Sequence, residues 1–301
     1  MVEYFGNTPT VELTKYNFGN VRFFAKLEGV SIGGSIKDRV GAFLVSNAIK
    51  NGYLTKGDTI IEATSGNTGV GLAIAAVNYG FPCKLLVPKS TSKSKIKMMR
   101  AFGATVEIID GTIDDCIGLV EGMSAKSNYV WLNQYDNQAS VDCHHETTSK
   151  EIYEQLCELT SQIIDHRPAP PICCLKNTTN ILVCAMGTTG TIMGCGKRLR
   201  PLGWAIYGVM PDPNCRIEGL KNLHIQRRPK IFDRREIEQA ICVNNKEVKL
   251  AVKELALKEG ILCGPSGGAA LVAAKFIAKL QPKDQKTNIV VILADRGERY
   301  L

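Results

Sequence analysis

Short apolar runs alternate along most of the chain with segments in which apolar residues recur at helical spacing. The run Thr59–Ala63 predicts a buried strand, and the runs 83–87 and Thr105–Ile109 predict two further strands. The segments 70–79 and 92–102, which separate these runs, predict helices. Strands that alternate with helices are typical of parallel β-α-β units, in which helices cover both faces of a sheet.

The same alternation continues beyond these three runs. Helices are predicted at 113–127, 141–159, 192–199, 245–259 and 267–280, and strands at 129–132, 181–185, 205–210 and 288–293. Residues 166–180 predict a Pro-rich linker, and residues 211–235, which lack periodicity, predict a long functional loop. The pattern therefore predicts two α/β units, with ligands bound in a crevice at the carboxyl ends of the strands.

Composition agrees with a folded α/β protein. The 301 residues are 45% hydrophobic, which is enough for one large or two medium domains. The net charge of +8 is spread along the chain, with local clusters at 93–100 and 227–235. Few aromatic residues accompany these clusters and no nucleic-acid-binding motif is present, so the charge favours anionic small molecules over nucleic acid.

Eleven cysteines and four histidines raise the question of a disulfide or metal site. The cysteines lie singly or, at Cys173 and Cys174, side by side, without the two-residue spacing of metal ligands. His144 and His145 are neighbours and would point in different directions on a helix. With neither a signal peptide nor a membrane-spanning apolar run, we expect a cytoplasmic protein with reduced thiols, no bound metal and no membrane partner.

Lys37 lies in the run Gly33-Gly34-Ser35-Ile36-Lys37-Asp38-Arg39, just ahead of a segment with helical spacing. The positive end of a helix dipole disfavours a cation in the first turn, so an amine there favours its uncharged form. An uncharged amine can form a Schiff base with an aldehyde. Lys37 is thus a candidate covalent anchor, and the alternative is a surface lysine in a charge triplet with Asp38 and Arg39.

Three turns between a strand and a helix have the composition of binding sites. The turn 64–69, Thr-Ser-Gly-Asn-Thr-Gly, offers hydroxyl and backbone N–H donors to a carboxylate, beyond the single donor that a helix cap needs. The turn 187–191, Gly-Thr-Thr-Gly-Thr, suits a phosphate monoester, because it lacks the lysine of a P-loop and the dinucleotide fingerprint. The third turn, 264–268, offers the hydroxyl of Ser266.

With these motifs in order, the chain resembles the cysteine synthase and cystathionine β-synthase family, fold-type II enzymes that use pyridoxal 5′-phosphate. The resemblance runs from Gly6-Asn7-Thr8-Pro9 to residues 296–301. It implies two three-layer α/β domains with mostly parallel sheets, as in the tryptophan synthase β-subunit. A smaller, mobile domain would comprise 40–145 and a larger one 1–39 plus 146–301, with the cofactor in the cleft between them.

The resemblance also implies roles for the motif residues. Lys37, which follows Ser35, would form the Schiff base with the cofactor, Asn67 would contact its 3′-oxygen and Ser266 its pyridine nitrogen. The cofactor phosphate would be held by Gly187, Thr188, Thr189, Gly190 and Thr191. The α-carboxylate of the substrate would be held by Thr64, Ser65, Thr68 and Gln134. A hydroxyl at the pyridine nitrogen favours β-elimination over transamination.

The chain departs from the family pattern at three places. Val30-Ser31-Ile32-Gly33 replaces the usual Asn-Pro ahead of the lysine loop, and Thr189 stands where many members have glycine. In the loop that faces the incoming nucleophile, residues 230–233 replace an apolar segment and introduce Asp233. Asp233 could orient or deprotonate water in the second half of the reaction. The alternative is an aspartate that caps the helix beginning at Arg234.

We therefore expect β-replacement or β-elimination on O-acetylserine, cysteine or serine through an aminoacrylate intermediate, with sulfide consumed or released, and a homodimeric enzyme. Two alternatives within the fold are a synthase that uses an amine or a larger thiol and a serine or threonine dehydratase. A cofactor-free binding module on the same fold is an alternative of another class, which the presence of Lys37, Asn67 and Ser266 argues against. A nucleotide-dependent α/β enzyme is disfavoured by the missing ribose-binding acid.

Overall fold

The computed structural model describes residues 5–125, 128–160 and 178–301. The strands in chain order are β1 (Thr10–Glu12), β2 (Val21–Leu27), β3 (Thr59–Ala63), β4 (Cys83–Pro88), β5 (Thr105–Ile109), β6 (Tyr129–Trp131), β7 (Thr179–Ala185), β8 (Ala205–Pro211), β9 (Gln239–Val243) and β10 (Thr287–Leu293). The helices are α1 (Lys37–Lys50), α2 (Asn67–Tyr79), α3 (Lys93–Ala101), α4 (Ile113–Ser124), α5 (Ala139–Cys143), α6 (Ser149–Thr160), α7 (Gly190–Leu199), α8 (Asn245–Glu259) and α9 (Pro265–Lys279).

The chain divides into two compact units. Unit 1 contains residues 5–6 and Ser31–Cys143, and unit 2 contains Asn7–Val30 and His144–Leu301. The second boundary lies two residues before the predicted one at 145/146. The first lies at 30/31 instead of 39/40, because the helix that begins at Lys37 packs along α2 and therefore belongs to unit 1. The predicted mobility of the smaller domain stays a prediction.

The described part of unit 1 is built on a parallel four-stranded sheet in the order β5-β4-β3-β6. Alternate residues of the central strands enter two different cores. Ile60 and Leu85 pack with α1, α2 and α3, whereas Ile61 and Leu86 pack with α4. Helices therefore cover both faces of the sheet, as expected for parallel strands.

Unit 2 is built, in its described residues, on a six-stranded sheet in the order β1-β2-β10-β7-β8-β9. Only β1 is antiparallel to its neighbour in this sheet. The large core of this unit joins the sheet to α8 and α9, both of which contribute small and branched apolar side chains. The two mostly parallel sheets confirm the predicted α/β fold class.

Two segments differ from the sequence-based prediction, and a third could not be compared with it. The edge strand β9 was not predicted, although residues 240–243 form a short apolar run, Ala-Ile-Cys-Val. The single helix expected at 141–159 is divided into α5 and α6 by a π-helical turn, His144–Thr148. Most of the predicted linker 166–180, including Cys173 and Cys174, lies outside the described residues.

Two further findings bear on the class of protein. Among the helices of the described ranges, none is both long and apolar enough to span a bilayer. A search of the same ranges finds no group of three or more His, Cys, Asp or Glu side chains arranged to hold a metal ion.

Candidate active site

Lys37 is the first residue of α1, where the sequence places it. Lys37 is half-buried, and its backbone N–H donates to the Oγ of the fully buried Ser35 at 3.3 Å. Two glycines let α1 approach α2 closely. A Cβ on Gly41 would lie 2.5 Å from the carbonyl carbon of Gly71, and a Cβ on Gly71 would overlap the Lys37 carbonyl group. The backbone of Lys37 is therefore held against α2.

The turn 64–69, which we call the substrate turn, connects β3 to α2. The Thr64 hydroxyl accepts the N–H groups of Gly66 and Gly69, each at 3.2 Å, which fixes the shape of the turn. Ser65 is exposed, whereas Thr64 and Thr68 are buried. Asn67 begins α2, a helix of 13 residues, so the turn lies at the positive end of the helix dipole.

Gln134, which follows β6, lies against the substrate turn. The Thr68 hydroxyl donates to Gln134 Oε1 at 2.5 Å, and Gln134 Nε2 donates to the Ala63 carbonyl at 3.3 Å. The residues predicted to bind a carboxylate, far apart in the chain, are thus brought together within unit 1. Parallel strands explain this, because β3 and β6 are neighbours and their carboxyl ends meet at one edge of the sheet.

Two charged residues near this turn were not singled out in the sequence. Glu62 in β3 is 1% exposed and accepts N–H groups from Trp131 Nε1 at 2.9 Å and from Gln134 at 3.2 Å. Lys95 in α3 is 2% exposed, and a Cβ built on Gly66 would lie 3.6 Å from its Nζ. The basic side chain of Lys95 therefore lies close to the turn. An acid inside an apolar strand was the signal for Glu62.

The turn 187–191, which we call the phosphate turn, connects β7 to α7. Thr189 has φ +68°, the left-handed conformation in which a β-branched residue is strained. Its hydroxyl is buried and has no hydrogen-bond partner among the described residues. Thr191 contacts His144 Nε2 at 3.1 Å, and the other ring nitrogen of His144 contacts the Thr148 hydroxyl at 2.8 Å. The histidine therefore supports the turn from the π-helical segment.

Ser266 lies close to the phosphate turn through one shared neighbour. A Cβ on Gly187 would lie 2.5 Å from the Gly219 carbonyl oxygen, and a Cβ on Gly219 would lie 3.5 Å from Ser266 Cβ. Gly219 has φ +88°, a conformation that favours glycine. Within unit 2, the phosphate turn and the start of α9 thus both lie next to Gly219 in the loop 217–220.

Asp233 caps the short 3₁₀ turn Arg234–Glu236, the alternative that the sequence left open. Its carboxylate accepts the Arg235 N–H at 2.9 Å and pairs with the Arg235 guanidinium at 2.7 Å. These hydrogen bonds from Arg235 lower the pKa of Asp233 to about 2. A carboxylate with such a low pKa is a weak general base.

The residues of the two turns fit the cofactor that the resemblance implies. A buried hydroxyl without a partner, at Thr189, is what a bound phosphate oxygen would satisfy. The glycine at 187 leaves space that a side chain would fill, and the turn opens a helix of 10 residues. The roles of Lys37 as the amine for the aldehyde, and of Asn67 and Ser266 as contacts of the ring, stay predictions.

Comparison with known proteins also indicates an enzyme that uses pyridoxal phosphate. The model of the family described as "Pyridoxal-phosphate dependent enzyme" matches residues 2–295. Cysteine synthase B of Salmonella typhimurium is 34% identical over 303 residues, which cover 98% of this chain and 92% of the relative. Cysteine synthase of Aquifex aeolicus is 36% identical over 309 residues, covering 98% and 88%.

A solved structure agrees with these relatives. The crystal structure of a hydrogen sulfide-producing enzyme from Fusobacterium nucleatum matches with a TM-score of 0.87 and 30% identity, covering 100% of this chain and 98% of that one. The match extends over both units of the fold and over all the motifs described above. The chain therefore belongs to the pyridoxal-phosphate dependent enzyme family, in the branch that contains the cysteine synthases.

Proposed function

We propose that the protein catalyses β-replacement and β-elimination on a small L-amino acid, such as O-acetylserine, cysteine or serine, and so interconverts cysteine with sulfide. The observation that carries this proposal is the substrate turn, in which Thr68 is bonded to Gln134 and the buried Lys95 lies beside Gly66. Polar side chains that converge at the start of α2, in the same unit as Lys37, suit the carboxylate of an α-amino acid. The cysteine synthases of Salmonella and Aquifex support the choice of substrate class.

Each group of residues has one task in this proposal. Lys37 holds the cofactor and takes the proton from the substrate Cα. Thr64, Ser65, Thr68 and Gln134 bind the substrate α-carboxylate. Pyridoxal phosphate, when bound, supplies the electron withdrawal that makes the Cα proton acidic and lets the β-substituent leave. The cofactor is held in addition by Asn67, Gly187, Thr188, Thr189, Gly190, Thr191 and Ser266.

A second candidate is the conversion of cysteine and water to serine and sulfide. The observation that favours it is the structural match to a hydrogen sulfide-producing enzyme at nearly full coverage of both chains. Asp233 would orient the water by accepting a hydrogen bond, since its low pKa keeps it ionised. The Asp233→Asn variant tests this role, and unchanged rates and products would reject it.

Product analysis tests the proposal. The cofactor-loaded protein is mixed with L-cysteine alone, and separately with O-acetylserine plus sulfide, and sulfide and amino acids are measured. Rapid formation of cysteine from O-acetylserine and sulfide, with little consumption of cysteine in the mixture that contains cysteine alone, indicates a cysteine synthase. Formation of serine and sulfide from cysteine alone indicates the second candidate. A third mixture, with an amine or a larger thiol as nucleophile, tests the alternative synthase. If no product forms in any of the three mixtures, the proposal is wrong.

We also propose that the enzyme is a homodimer that works in the cytoplasm. The nine cysteines within the described ranges form no disulfide bonds, which suits a reducing compartment. The dimer follows from the family resemblance. Light scattering on the purified protein measures the mass directly, and a mass of one chain at micromolar concentration would contradict the dimer.

A further inference from the structure

Glu62 is a buried acid to which the proposed reaction assigns no task. It lies in β3 between apolar residues and is 1% exposed. A carboxylate in such a place is unfavourable unless donors surround it. Its carboxylate accepts N–H groups from Trp131 Nε1 at 2.9 Å, Ala63 at 3.0 Å and Gln134 at 3.2 Å.

Most of these donors come from one segment, residues 131–134, which begins at the last residue of the neighbouring strand β6. Asn133 has φ +47°, a left-handed conformation that asparagine tolerates better than most residues. Such a residue turns successive backbone N–H groups toward a common anion. The N–H group of Gln134 hydrogen bonds to Glu62, and the neighbouring backbone N–H of Asn133 helps to lower the pKa of this carboxyl group against the effect of burial. Glu62 therefore ties the segment 131–134 to β3.

The tied segment carries a side chain that the proposed function uses. Gln134 receives the Thr68 hydroxyl on Oε1 at 2.5 Å and donates from Nε2 to the Ala63 carbonyl at 3.3 Å. Backbone and side chain of Gln134 are thus both fixed, one by Glu62 and the other by the substrate turn. A shift of the segment 131–134 would move the amide of Gln134 away from Thr68.

We propose that Glu62 is a positioning residue whose ionised carboxylate holds Gln134 in the orientation that binds the substrate α-carboxylate, and that protonation of Glu62 weakens substrate binding. Its hydrogen-bond partners in the described structure are all N–H donors. An ionised carboxylate accepts from all of them, whereas a protonated one places an O–H against an N–H. The inference rests on the proposed role of Gln134 in substrate binding.

The charge of Glu62 changes in an accessible pH range. Burial raises its pKa to about 7, against the hydrogen bonds from Trp131 and the backbone, which lower it. On β4, burial raises the pKa of Cys83 to about 12, and burial also raises the pKa of Tyr135 after β6. These two groups keep their protons between pH 6 and 8.5.

Neighbouring polar groups on β4, β5 and α4 are paired with each other, exposed to solvent or buried as thiols. Lys84 on β4 pairs with Glu107 on β5 at 3.0 Å. On α4, burial raises the pKa of the Cys116 thiol, and Asp114 is an exposed residue. A transition between pH 6 and 8.5 that disappears with Glu62 can therefore be assigned to Glu62.

The experiment compares the holoenzyme with its Glu62→Gln variant, which keeps the size of the side chain and cannot titrate. KM and kcat for L-cysteine, or for O-acetylserine with sulfide, are measured from pH 6 to 8.5. The substrate amine titrates equally with both enzymes, so the ratio of the two KM values isolates Glu62. In parallel, the indole N–H signals of ¹⁵N-tryptophan-labelled protein report the charge on Glu62 through Trp131. Trp204, the other tryptophan in the sequence, is identified with Trp204→Phe.

We expect the KM of the wild type to rise about 5- to 10-fold as the pH falls through about 7, with a smaller change in kcat. Glu62→Gln should have a high KM at every pH and lack the titration of the Trp131 signal. Trp131→Phe removes one donor, so it should move the midpoint of the KM profile to higher pH.

Three results would overturn the inference, and they can be told apart. A KM ratio that is constant with pH, while the Trp131 signal titrates, shows that Glu62 is ionisable and does not position Gln134. A Trp131 signal that does not titrate shows that Glu62 keeps one charge state. Absence of cofactor-dependent turnover at any pH rejects the proposed function itself, and the inference falls with it.

Discussion

The substrate turn and the phosphate turn both connect a parallel strand to a helix, yet they are built in opposite ways. The substrate turn satisfies its buried hydroxyls within unit 1, since Thr64 accepts two backbone N–H groups and Thr68 donates to Gln134. The phosphate turn leaves the buried hydroxyl of Thr189 without a partner in the described structure and holds this residue in a left-handed conformation.

In the proposed function, this difference corresponds to two ways of binding a ligand. A turn whose hydroxyls are already bonded presents a fixed surface that can accept and release a substrate in each turnover. A strained turn with an unsatisfied hydroxyl gains most from a ligand that stays bound, which is the role of a cofactor. Four predictions below break or sharpen this comparison, beginning with the largest effect.

Gln134→Ala removes the acceptor of the Thr68 hydroxyl and opens the substrate turn. Loss of a buried hydrogen-bond partner typically costs about 1–3 kcal/mol, so we expect KM for the amino acid to rise about 10- to 100-fold. Affinity for pyridoxal phosphate should change less than about twofold, because the phosphate turn is untouched. Steady-state kinetics and cofactor titration measure the two quantities, and an equal loss in both would contradict the separation of tasks.

Gly187→Ala acts on the phosphate turn instead. The added Cβ would lie 2.5 Å from the Gly219 carbonyl oxygen, so the backbone must shift. We expect the free energy of unfolding to fall by about 1–3 kcal/mol and cofactor affinity to fall about tenfold. Gly118→Ala in α4 is the matched control, because its Cβ would meet no atom within 4 Å. Thermal denaturation and cofactor titration compare the two, and similar behaviour would refute the close contact at Gly187.

Glu62→Gln tests whether the ionised carboxylate of Glu62, which lies next to the substrate turn, lowers the free energy of unfolding. The pKa of Glu62 is raised to about 7, so the stability that it contributes is fully present below its unfolded pKa and is lost as the pH rises through 7. Between pH 5.5 and 8, the free energy of unfolding of the wild type should fall by about 2 kcal/mol relative to Glu62→Gln. Urea denaturation at a series of pH values measures the difference. A difference that is independent of pH would show an unshifted pKa.

Thr189→Gly separates strain from binding at the phosphate turn. Glycine adopts φ +68° without strain, which should stabilise the cofactor-free protein by up to about 1 kcal/mol. The same change removes the hydroxyl, so the cofactor should bind more weakly. Thr189→Ser keeps the hydroxyl and should keep the affinity. Tight binding of the cofactor by Thr189→Gly would show that the hydroxyl has no ligand.

Most of the fold could be predicted from local patterns. The strands at 59–63 and 105–109 and the helix at 245–259 have the predicted bounds, because short apolar runs and helix caps are marked by residues that are neighbours in the chain. The π-helical turn at His144 could not be predicted in this way, since the contact between His144 and Thr191 forms only in the folded unit.

The candidate site shows the same limit. Lys37, Asn67, Ser266 and both turns are visible in the sequence because each motif is continuous in the chain. Glu62 and Lys95 were missed, since their neighbours Gln134 and Gly66 are brought near by the order of strands and by the packing of α3. The sequence left open whether Asp233 caps the turn that begins at Arg234 or acts on water. The contacts with Arg235, which show that it caps the turn, are visible only in the structure.

The most direct test of the division of tasks compares Thr68→Val with Thr189→Val. Both changes replace one buried threonine hydroxyl with a methyl group of nearly the same size, so packing and strain are preserved. The account predicts that Thr68→Val raises KM for the amino acid about tenfold and leaves the cofactor dissociation constant unchanged. Thr189→Val should do the reverse. If both variants changed the same constant, the two turns would not have separate ligands and the account would be wrong.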